Sequence, residues 1–129
     1  IYQQKWYSTN RTNILQAKRE FYSVPQNRIR NLISQAKLRA VKNNLEFDPY
    51  LLVALIPVTH CPCCQCEIDY STGKGQKNKT YSPSLDRVDS QQGYTVKNTT
   101  VICWTCNIRK SDNTLTSLDN IANYIKRSL

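Results

Sequence analysis

Between Pro25 and Asn44 the apolar residues Ile29, Leu32, Ile33, Ala36 and Ala40 recur at steps of three and four. That rhythm puts them on one face of an amphipathic α-helix. Pro25 stands where proline favours the first helical turn, and the Asn43-Asn44 pair closes the pattern. Arg28, Arg30, Lys37, Arg39 and Lys42 occupy much of the remaining surface. Upstream, NRTNILQAKREFYS at residues 10–23 predicts a short helix with Ile14, Ala17, Lys18, Phe21 and Tyr22 toward one side. Downstream, Asp48-Pro49 reads as the N-cap and first residue of a short buried helix that ends before Pro57. STGKGQKNK at residues 71–79 is polar and basic, and predicts an exposed loop. Gly73 and Gly75 lie there without the rest of a phosphate-binding P-loop. Strand-like runs follow at residues 84–88 and 99–102, then a helix from Thr105 through Lys110. A last helix is expected from Ser117, with Thr116 and Asp119 as a capping box. Leu118, Ile121, Ala122, Ile125 and Leu129 form its apolar face.

With 129 residues and 40% apolar content, the chain has a one-domain length and a folding composition. The longest apolar run, residues 50–56, is far short of a membrane span, and IYQQKWYSTNR holds no apolar export core. A cytoplasmic protein without membrane contact is the expectation. Charge sharpens it. Lysine and arginine number 18 against 9 acids. Residues 1–44 hold nine basic side chains and only Glu20 on the acidic side, while the remainder is nearly neutral. A basic front on a neutral body points to a polyanion, with nucleic acid foremost.

Without an export signal, six cysteines read better as metal ligands than as disulfides. Cys103-Trp-Thr-Cys106 is one Cys-x-x-Cys pair, the spacing that turns two sulfurs to a single zinc. CPCCQC at residues 61–66 offers two registers, Cys61/Cys64 or Cys63/Cys66. Cys61/Cys64 is preferred, because Pro62 suits a tight knuckle and Ile68 supplies an apolar anchor four residues after Cys64.

SLDRVDSQQGYTVKNTTVICWTCNIRK, residues 84–110, orders a strand, a loop, a strand and a helix. The pattern resembles the HNH nuclease family, the ββα-metal or His-Me finger endonucleases, over residues 61–113. The resemblance implies an α+β fold: a zinc-stapled ββα-metal core with basic N-terminal helices and a C-terminal helix. Together with the charge distribution, the expected division is a basic helical DNA-binding region at 1–47 and a zinc-binding nuclease core with its C-terminal helix at 48–129. The resemblance implies that Asp86 and Asn107 ligate a catalytic Mg²⁺ or Mn²⁺, that Asn98 braces the loop, and that Lys110 points toward a phosphate. Arg28, Arg30, Lys37 and Arg39 would hold DNA by its backbone. One position departs from the family. Arg87 stands where the general-base histidine is expected, and arginine cannot give up its proton. Arg87 is then expected to stabilise charge on the scissile phosphate; the single histidine, His60, either serves as base or only orients the zinc knuckle, and Asp89 and Tyr94 are weaker candidates for the base. The implied activity is metal-dependent DNA cleavage, with double-strand cutting requiring a homodimer or two visits. The flanking helices are similar to those of short phage-encoded members. The rival reading is a zinc-stabilised DNA-binding module whose cleavage centre has decayed.

Overall fold

The computed structural model of the protein describes residues 2–71 and 79–129. Most of the expected 71–79 loop, including Gly73 and Gly75, lies outside the described residues. The fold is mixed α+β, with a two-stranded antiparallel sheet. Helix α1 runs Tyr2–Ser23 and α2 runs Pro25–Lys42. The expected start of α1 at residue 10 is too late. No glycine or proline interrupts residues 2–23, so nothing breaks the helix on its N-terminal side. α1 buries no residue and packs on α2, with only Asn10, Ile14 and Tyr22 half-buried.

α2 follows its pattern closely. Val24 is extended (ψ 119°), and Pro25 occupies the first turn. At the other end Asn44 takes φ 53°, and the Leu45 amide bonds back to the Ala40 carbonyl at 2.8 Å, an asparagine-borne helix stop. Ile29, Ile33, Ala36 and Ala40 are buried, and this face packs against β1. Asp48 opens a turn rather than the helix itself. Its Oδ1 accepts the Tyr50 amide at 2.9 Å, and α3 spans Leu51–Ala54 with only Leu51 buried.

Strands β1 (Pro83–Arg87) and β2 (Thr99–Cys103) pair with Asp86 opposite Thr100 and Pro83 opposite Cys103. β2 passes directly into α4, Trp104–Lys110, which lies against both strands. Leu85, Val101 and Ile102 join α2, Leu51, Cys61, Ile68, Tyr94, Cys103 and Cys106 in one core. The chain closes with α5, Leu115–Ser128. Its cap is Thr114, whose hydroxyl accepts the Ser117 amide at 3.1 Å, so the expected Thr116/Asp119 box does not form. α5 buries no residue, and only Ser117 and Leu118 are half-buried. Among the described residues no helix is long and apolar enough to cross a membrane.

Candidate metal centre and polar cavity

Two features are built on the sheet and α4. The first is a cysteine cluster. The chain enters it through a narrow ribbon in which His60 bridges Glu67 and the Ile68 amide bonds to Thr59. At its tip the Gln65 amide reaches the Cys61 carbonyl, and the Cys61 amide reaches the Cys66 carbonyl, both at 2.8 Å. Gln65 itself sits at φ 67°, the left-handed turn that brings Cys61 and Cys64 to one side. Opposite them, Cys103 ends β2 and caps α4, its Sγ accepting the Cys106 amide at 3.4 Å. The Cys61 Sγ accepts the Cys103 amide at 3.3 Å.

The sulfurs of Cys61, Cys64, Cys103 and Cys106 all lie within 4.8 Å of one another. Four sulfurs about 2.3 Å from a tetrahedral zinc sit roughly 3.8 Å apart. Cys64 and Cys103 are separated by 3.8 Å. The four cysteines can hold a metal ion, and their donor set and spacing suit structural zinc. Burial alone would raise the Cys61 thiol, but hydrogen bonds from the Cys103, Cys64 and Cys63 backbones outweigh it and lower it. The Cys66 backbone amide, followed by the Cys66 thiol 3.1 Å away, pulls Cys64 down to about 6. Burial pushes Cys66 up to about 12. Burial raises Cys106 as well. Cys63 and Cys66 stand outside the quartet.

The second feature is a solvent-open cavity of about 700 Å³ between α2 and the sheet–α4 unit. Asp86, Arg87 and Asn107 line it from one side, and Arg28, Leu32, Gln35 and Arg39 of α2 from the other. Asp86 is 6% exposed. Its Oδ1 receives the Lys110 ammonium at 3.1 Å, and the same nitrogen donates to the Arg87 carbonyl at 2.8 Å. Lys110 is thus spent on the protein rather than offered to a phosphate. The Asn107 amide nitrogen donates to Ser84 Oγ at 2.6 Å and to the Leu85 carbonyl at 3.1 Å. Its amide oxygen is therefore the atom left for a cation.

Asn98 lies behind the cavity wall and holds the 88–98 loop shut. Its Oδ1 accepts the Asp89 amide at 2.8 Å, and its Nδ2 donates to the Asp89 and Gly93 carbonyls at 3.0 and 2.9 Å. Arg87 leans over the Tyr94 ring at 5.4 Å while its Nη1 donates to the Ser90 and Gln92 carbonyls. One arm of that guanidinium is committed to the loop.

No family model matches this chain, and neither a curated protein nor a solved structure matches it. The side chains alone carry the functional argument.

They sort unevenly. Asp86, Arg87, Asn107, Arg28 and Arg39 converge on the cavity, whereas Arg30 and Lys37 are exposed outside it. His60 also lies outside it, exposed on the cysteine ribbon with Nδ1 3.0 Å from Thr59 Oγ1. Sequence reasoning missed Asp112 and Ser111, and gave little weight to Tyr94, all three of which line the cavity. It also missed the stripe on α2. Arg28, Leu32, Gln35 and Arg39 fall at steps of four, three and four, a helical face as readable as the apolar one beside it.

Proposed function

We propose that this protein is a metal-dependent DNA endonuclease of the HNH, or ββα-metal, kind. The observation that carries this reading is the gathering of a buried carboxylate, an amide oxygen and three guanidinium groups around one open cavity. Asp86, through the oxygen not taken by Lys110, and Asn107, through its amide oxygen, would hold Mg²⁺ or Mn²⁺. Few protein ligands plus water and phosphate oxygens suit magnesium. When bound, such an ion polarises the phosphodiester and stabilises the departing 3′ oxygen. The chain's own groups do the rest. Arg87 stabilises negative charge on the phosphate with its uncommitted nitrogens, and Asn98 keeps the loop that follows β1 in place. Attack by water on phosphorus breaks the bond to the 3′ oxygen, which takes a proton from solvent water, leaving a 5′ phosphate and a 3′ hydroxyl. The proton of that water requires an acceptor inside the cavity. His60 stands outside it, so the role passes to Asp112, the lining carboxylate without an ion pair among the described residues.

Plasmid nicking with Mg²⁺ or Mn²⁺ tests the reading. Nicking by the parent is expected to be lost in Asp86→Ala, Asn107→Ala and Asp112→Asn, and kept in His60→Ala. Failure of the parent to cut any DNA form with either ion would end the hydrolytic reading. A specific observation favours the second reading, a zinc-stabilised DNA-binding module. Lys110 already neutralises Asp86, and the loop already occupies Arg87. Tight, salt-sensitive binding without cleavage is its signature.

A further inference from the structure

Arg28 has no place in the chemistry above, yet its setting is unusual. It is 6% exposed, and its Nε has no hydrogen-bond partner. No carboxylate pairs with it among the described residues; the ion pair in this region joins Lys110 to Asp86 instead. Burial lowers its pKa, and the nearby Tyr22 only partly offsets that. A buried, uncompensated cation is costly and calls for an anion. The cavity it lines carries an excess of cations: among the described residues Arg28, Arg39, Lys79 and Arg87 face Asp112 and an Asp86 already neutralised by Lys110.

Arg39 lies on the same stripe of α2. Its Nε donates to the Tyr94 hydroxyl at 3.2 Å, which fixes the head group at the cavity wall. The two arginines are eleven positions apart, about 16 Å along a helix. At that separation they serve two phosphates rather than one. A guanidinium fork matches a phosphate's oxygens in a way an ammonium cannot.

We infer that the α2 wall of the cavity is a seat for the backbone of a single nucleic-acid strand, with Arg28 gripping one phosphate inside the cavity and Arg39 another. This deepens the nuclease reading and rests on it, because it assigns the cavity to a phosphodiester chain. It differs from a general basic surface in one respect. Arg28 acts from a buried position, whereas Arg30 and Lys37 act, if at all, as exposed charges.

The test uses the zinc-loaded full chain without Mg²⁺, so no cleavage is needed. The Nε–H resonance of Arg28 is followed by NMR while a thymidine hexanucleotide is added. A saturable shift is expected. Arg28→Lys, which keeps the charge and removes the fork, is expected to weaken binding by roughly tenfold or more. Arg30→Gln is expected to weaken it by no more than about threefold. An unmoved Arg28 signal at saturation overturns the inference, as does an Arg28→Lys variant no weaker than Arg30→Gln. Inorganic phosphate binding as tightly as the hexanucleotide also overturns it, since the seat would then hold a free anion. Hexanucleotides with and without a 5′ phosphate separate a terminal from an internal phosphate, either of which satisfies the seat. The parent signal is read without any variant, so misfolding of a mutant cannot hide the answer. Nicking with no Arg28 response would sink this inference and leave the nuclease reading standing. A response without nicking would do the reverse.

Discussion

Lys110→Met removes the cation from Asp86 while roughly keeping the bulk of the stem. Asp86 is 8% exposed in its side chain and Lys110 24%. Orphaning one member of a fully buried pair costs about 3–5 kcal/mol; with Lys110 a quarter exposed, about 2–3 kcal/mol is the better figure. At this chain length that lowers Tm by roughly 8–12 °C. Removing both charges, in Lys110→Met/Asp86→Asn, should restore most of the loss, because the penalty belongs to the unpaired carboxylate. The proposed metal site adds a second expectation. If Asp86 also ligates Mg²⁺, the ion and Lys110 repel across one carboxylate, and Lys110→Met frees it. Mg²⁺ at a hundredfold excess over its Kd would then return about 2.7 kcal/mol to the single variant. The assay is thermal unfolding of the zinc-loaded protein, parent and both variants, with and without Mg²⁺. If Mg²⁺ raises the Tm of Lys110→Met no more than that of the double variant, Asp86 is not its ligand. If Lys110→Met melts with the parent, the ion pair contributes nothing, and the argument built on it fails.

Asn98→Ala breaks three hydrogen bonds around a 7% exposed side chain and leaves the Asp89 amide and two carbonyls without that partner. It should cost about 2–4 kcal/mol in urea unfolding. Gly93→Ala would put a Cβ 2.4 Å from the Glu46 carbonyl oxygen and 2.8 Å from the Glu46 amide nitrogen. Both are backbone atoms, so Glu46→Ala should not rescue the loss of about 1–3 kcal/mol, again read by unfolding. Serine at Cys61, Cys64, Cys103 or Cys106 should lower zinc content measured by atomic absorption, whereas Cys63→Ser should keep one equivalent. Cys64 lies below its unfolded value, so the stability it contributes is present above the ordinary thiol range. In the metal-free protein that contribution is lost as pH falls through about 6; protons and zinc compete for the same thiolates, so zinc release followed with a chromogenic chelator should rise as the pH falls.

What could be read in advance was what depends on near neighbours. The α2 face, both strands and the helix after Cys103 follow from local periodicity, and the structure has them within a few residues of expectation. The left-handed residue Gln65, which closes the turn after Cys64 with its amide on the Cys61 carbonyl, accords with the preferred cysteine spacing. The early start of α1 was hidden because an exposed helix carries no apolar rhythm. The face of α5 shows the opposite: its rhythm is strong, yet among the described residues only Leu118 of that face is even half-buried. The Lys110–Asp86 pair spans 24 positions, and no local pattern announces it. Arg28 looks like any other basic residue until the fold buries it.

Helix α4 is only seven residues long, and it carries Cys106, Asn107 and Lys110 within one and a half turns. Each residue added to a helix turns everything beyond it by about 100°. One amino acid inserted after Cys106 would leave the cysteine quartet intact while swinging Asn107 and Lys110 off Ser84 and Asp86. The molecule therefore has a strict internal spelling here: substitutions can tune this helix, but a change in its length would break the link between its two ends.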